Sequence, residues 1–181
     1  MITTARWAIR GRVLGHRANT CRHTGFVLGQ GWSSQWDRVG RRLDDVRTLY
    51  ERAPGGTDAA IDAVLSFFET VHHLKDWLTN DQASGVLTAD VHDLLDGSPT
   101  LKLCADLANG AKHFKLDPTR RAQTGDHSTT IAENDVVVFV GTGASAHRFR
   151  TASGGTPRDV LEVAEEAVNE WRGFLSARNL I

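Results

Sequence analysis

Two short stretches hold the side chains best suited to chemistry: Glu69, His72, His73 and Asp76 in FFETVHHLKDWL, and Asp106, Asn109, Lys112 and His113 in LKLCADLANGAKHFKL. Imidazoles exchange protons near neutral pH, and carboxylates, amides and ammonium groups orient them or offset charge. Residues three, four and seven apart share a helix face. Each stretch therefore reads as a polar stripe on a helix that must also bury Phe, Leu and Trp. Charge in such a place is costly unless the groups pair or take part in a reaction.

Metal chemistry is one alternative. Glu69-x-x-His72 has the spacing by which di-iron bundles present a carboxylate and an imidazole. A metal-dependent enzyme would draw on His72, His73 and His113, with Glu69 and Asp106. A second Glu-x-x-His pair is missing, so no metal ligand is assigned. No cofactor is expected either. Gly141-Thr142-Gly143 follows a strand-like run but lacks the third glycine of a dinucleotide loop and the Gly-Lys-Ser/Thr of a phosphate loop. Cys104 falls in an apolar helix and reads as a buried thiol.

The elements that must carry these stripes are legible from periodicity. Trp36 to Arg52 predicts an amphipathic helix, broken by Pro54-Gly55-Gly56. A second helix runs from Thr57 or Asp58 to about Leu78 and is apolar around most of its circumference, so it is expected at the centre. Thr88 caps a short helix, Ala89 to Leu95. Ser98-Pro99 opens the next, to about Leu116. Thr119 to Glu133 reads as a polar loop. Asp135 to Gly141 is a β-branched strand, and Ala146 to Thr151 alternates His147, Phe149 and Thr151 against Arg148 and Arg150 as its hairpin partner. Thr156-Pro157 begins a last helix to about Ala177. The expected fold is mainly α, a four-to-five-helix bundle with a small β-hairpin, at about 135–151, inserted before the last helix.

The chain has 181 residues, enough for one sizeable core. Residues 36–181 read as a single helical domain. Residues 1–35 form a basic N-terminal extension, with Arg6, Arg10, Arg12, Arg17 and Arg22 and no acid. Such a start suits a targeting segment, a nucleic-acid arm or a poorly packed, flexible extension, and the last is the expectation. The longest apolar run, Val136 to Val140, is too short to span a bilayer, so no membrane is expected. Two cysteines give no disulfide framework, which points to the cytoplasm.

A helical bundle with Asn followed by His late in a central helix resembles the HEPN superfamily, whose domains are helical, usually dimeric and in many cases metal-independent ribonucleases. Their motif is an Arg, four to six residues, then His, with Asn commonly after the Arg. The matching stretch is Ala108-Asn109-Gly110-Ala111-Lys112-His113, with Ala108 where the family carries Arg. Arg10 to His16 and Arg17 to His23 match that spacing by count, in a segment without helical period. The stretches HLKDW and NGAKH are also similar to those of uncharacterised bacterial proteins. The resemblance implies an RNase or RNA-binding component of a toxin or defence system, acting as a homodimer. His113 would handle the ribose 2′-hydroxyl, and Asn109 would orient the phosphate or the imidazole. Lys112 would offset charge, His73 and Asp76 would complete the site, and His72 and Asp106 would contact substrate. The alternative is a non-catalytic module for a protein partner, with the stripes as a polar network fixing helix register.

Overall fold

A computed structural model describes residues 31–53, 55–112, 130–138, 145–153 and 156–181. The described residues form a mainly helical bundle of five α-helices, with a small antiparallel sheet before the last helix. The helices are α1 (Trp32–Glu51), α2 (Thr57–Asn80), α3 (Thr88–Gly97), α4 (Pro99–Lys112) and α5 (Val160–Ser176). The strands are β1 (Thr130–Val138), β2 (Ser145–Ser153) and β3 (Thr156–Asp159), in sheet order β1-β2-β3.

Helix α2 is the axis. Its Val64, Phe67, Phe68, Val71, Leu74 and Leu78 are wholly buried, each worth about 1.5–3 kcal/mol of transfer free energy. α1 packs on α2, α2 on α4, α4 on α5 and α5 on α1, so four helices close a ring around this apolar surface. The hydrophobic cluster also takes in Val91 of α3 and Phe149 of β2. No helix among the described residues is long and apolar enough to cross a membrane.

The helix ends differ from the sequence expectation where a distant side chain sets them. α1 starts at Trp32, four residues before the periodic pattern suggests. Gly31 has φ +97°, and a Cβ there would lie 2.6 Å from Asp81 Oδ2. That space lets Asp81 Oδ2 accept the Trp32 N–H at 2.9 Å, while Oδ1 accepts from Ala83 N at 2.9 Å. These two backbone donors hold the Asp81 carboxyl below its ordinary pKa. α4 starts as expected, with Pro99 in the first turn and Ser98 Oγ accepting from Leu101 N at 2.9 Å.

The alternation in β2 holds. His147, Phe149 and Thr151 are buried, and Arg148 and Arg150 are exposed. The hairpin expectation needs an addition, because a third strand follows. Thr156–Asp159 pairs with Ser153–Arg150, so Thr156-Pro157 does not open the last helix. Pro157 fits an edge strand, where a missing N–H is tolerated. The helix begins after Asp159, whose Oδ1 accepts from Leu161 N at 2.8 Å and Glu162 N at 3.2 Å.

Tyr50 joins the sheet to the bundle. Its hydroxyl donates to Phe149 O at 3.2 Å, and it lies within accepting distance of Phe149 N (3.3 Å) and Leu161 N (3.2 Å). Burial pushes its pKa up to about 12. Tyr50→Phe strands buried backbone groups at about 1–3 kcal/mol, and equilibrium denaturation should show a loss in that range. The folded pKa lies above the ordinary 10, so the phenol's contribution is full below pH 10 and lost as pH rises through about 12. The wild type should therefore lose more stability across that interval than Tyr50→Phe.

Candidate functional site

Successive residues on a helix are turned by about 100°, so His72 and His73 leave α2 in different directions. Both are half-buried, and their ring centroids lie 6.1 Å apart. Lys75 Nζ stands 3.0 Å from His72 Nε2. An ammonium can only donate, so opposite a charged Lys75 the acceptor in this pair is Nε2. Lys75 is thus part of the polar group, at the i+3 spacing from His72 that could have signalled it.

Asp76 is exposed and borders a cleft of about 490 Å³ with Gly31, Trp77, Asn80 and Asp81 at the start of α1.

On α4, Asp106 is 4% exposed, although Lys102 and Gly110, one helical turn to either side, are exposed. Asn109 is half-buried. Asp106, His72 and His73 each have further interactions with neighbouring groups. The core side of α4 is wider than the stripe pattern suggests. Leu101, Leu103, Cys104, Leu107 and Ala108 are all buried. Cys104 packs toward α5, and burial, reinforced by the charge of Glu170, pushes its thiol pKa far up. This thiol is no nucleophile at neutral pH.

α4 packs chiefly on α2. The two helices that carry the stripes are thus direct neighbours. The Lys112 side chain, His113, residues 1–30 with both Arg-His spacings, and most of the 119–133 and 141–145 stretches lie outside the described residues. No three His, Cys, Asp or Glu side chains gather to hold a metal among the described residues. Glu69, His72, His73 and Asp106 do not form a ligand set among themselves.

No protein-family model matches the chain, and no curated protein or solved structure is significantly similar to it.

A Cβ at Gly110, in the exposed part of α4, would meet nothing within 4 Å. Its exposure leaves only the helix cost of glycine. Gly110→Ala should stabilise the fold by about 0.5–1 kcal/mol, read as a raised denaturation midpoint at constant m-value. A decrease would mean that glycine is needed there for a contact or a backbone conformation.

Proposed function

We propose that this chain is a HEPN-like helical domain that acts on RNA along the seam between α2 and α4. The observation that supports it most is the direct packing of α4 on α2, which makes neighbours of the helix carrying His72, Lys75 and His73 and the helix carrying Asp106 and Asn109. His113 directly follows Lys112, the last described residue of α4. In this reading His113 takes the proton of a ribose 2′-hydroxyl, whose oxygen attacks the adjacent phosphorus as the 5′-oxygen leaves and takes a proton from water. Asn109 orients the phosphate, and Lys112 with His73 offsets its developing charge. A second copy would complete the site, giving a homodimer that serves in a toxin or defence system.

The burial of Asp106 favours a second reading. A carboxylate 4% exposed and engaged by neighbours also suits a polar network that fixes helix register, in a module that binds a protein partner without catalysis.

Incubation with an end-labelled RNA pool in chelator separates the two. Under the first reading the wild type cleaves RNA and His113→Ala loses at least a hundredfold in rate, as expected for a lost general acid or base. His73→Ala loses less. Cleavage unchanged by both substitutions removes the site. Absence of cleavage by folded, dimeric protein leaves the interaction module.

A further inference from the structure

On the side of the ring away from the α2–α4 seam, α1 and α5 leave an open groove of about 510 Å³, the size of a small-ligand site. Buried Leu43 and Val168 form its floor, and half-buried Trp36 is part of its wall. Two exposed guanidinium groups reach it, Arg41 from α1 and Arg172 from α5.

The charges divide clearly. Arg47 also borders the groove but is committed to Glu165 at 2.9 Å and Asp44 at 3.1 Å. Glu165 is the main reason that its pKa is raised. Arg41 makes no ion pair among the described residues. Arg172 donates to the neutral Asn169 Oδ1 at 2.6 Å and likewise makes no ion pair among the described residues. Gly40 lies in the same wall, and a Cβ there would meet nothing within 4 Å, so the groove is open at that point. Asp37 also lines the groove, and its carboxylate can accept hydrogen bonds.

We propose that this groove holds a nucleoside monophosphate unit of single-stranded RNA, with the base against Trp36 and the phosphate between Arg41 and Arg172. The proposal rests on the RNA reading above and extends it, by giving the strand a binding face separate from the seam. Guanidinium forks match phosphate oxygens in pairs. An aromatic wall accepts any base by its face. Asp37 can accept from an exocyclic amino group, which favours adenine, cytosine and guanine over uracil.

Fluorescence anisotropy with a labelled single strand of about ten nucleotides tests this on the full chain. The double substitution Arg41→Ala, Arg172→Ala should weaken binding about tenfold or more and reduce the slope of log K against log salt by about 0.7, the value for one lost phosphate contact. Gly40→Leu should weaken binding similarly by filling the groove, with circular dichroism unchanged. Wild-type affinity in both groove variants overturns the groove while leaving the RNA reading intact. Failure of the wild type to bind any RNA sinks both. Competition by free AMP as effective as by the unlabelled strand overturns the strand in favour of a free nucleotide.

Discussion

The fold depends on one constraint: α2 is apolar over most of its circumference and cannot face water. Six of its large side chains are wholly buried. At about 1.5–3 kcal/mol each, their exposure would cost as much as the 5–15 kcal/mol of net stability typical of a domain. Neighbours must therefore surround the helix. α1 and α4 cover its flanks, α5 closes the ring and Phe149 of β2 joins the cluster. Polar residues of α2 are pushed to the margins of that cover. His72 and His73 meet both neighbours and solvent there, whereas Asp76 is exposed.

Burial alone does not fix where helices start and stop. Side chains that bond distant backbone do so. Asp81 reaches Trp32 N, Ser84 Oγ donates to Leu78 O at 2.6 Å, and Tyr50 ties the end of α1 to β2 and the start of α5. Gln35 Nε2 donates to Thr70 O at 2.9 Å and links the first turn of α1 to the middle of α2. That last bond has a cost, because Gln35 Oε1 is buried without a partner, a penalty of about 1–3 kcal/mol. The net bond is worth about 1 kcal/mol, so Gln35 is better understood as setting register than as adding stability. Arg158, bonded to Glu166 and to Thr100 Oγ1, pins β3 to α4 and α5 in the same manner.

What was legible in the sequence follows this division. The position of α2, the Pro99 start of α4 and the inward set His147, Phe149, Thr151 all come from local periodicity or local turn chemistry, and each is present in the structure. The early start of α1 was hidden because its cap, Asp81, is 49 residues away. β3 was hidden because Thr-Pro before an apolar period is also a helix-start signal, and only pairing with β2 distinguishes the two. The burial of Asp106 was not legible, since residues one turn to either side are exposed. Nor was the groove, which requires Arg41 and Arg172 to meet from helices at opposite ends of the chain.

Seam and groove put different physical demands on the same ring. At the seam, polar groups sit against the most apolar helix of the protein, where a low local dielectric strengthens each pairing and makes each unpaired charge expensive. Groups there are held in place, which suits proton transfer or register. In the groove, Arg41 and Arg172 stand in water over an apolar floor, and a phosphate between them would remain screened by salt. Such a surface holds a polyanion through many weak contacts and releases it readily. Under the proposed RNA reading, a strand held there would reach the seam by passing around the bundle or by meeting the seam of a second copy.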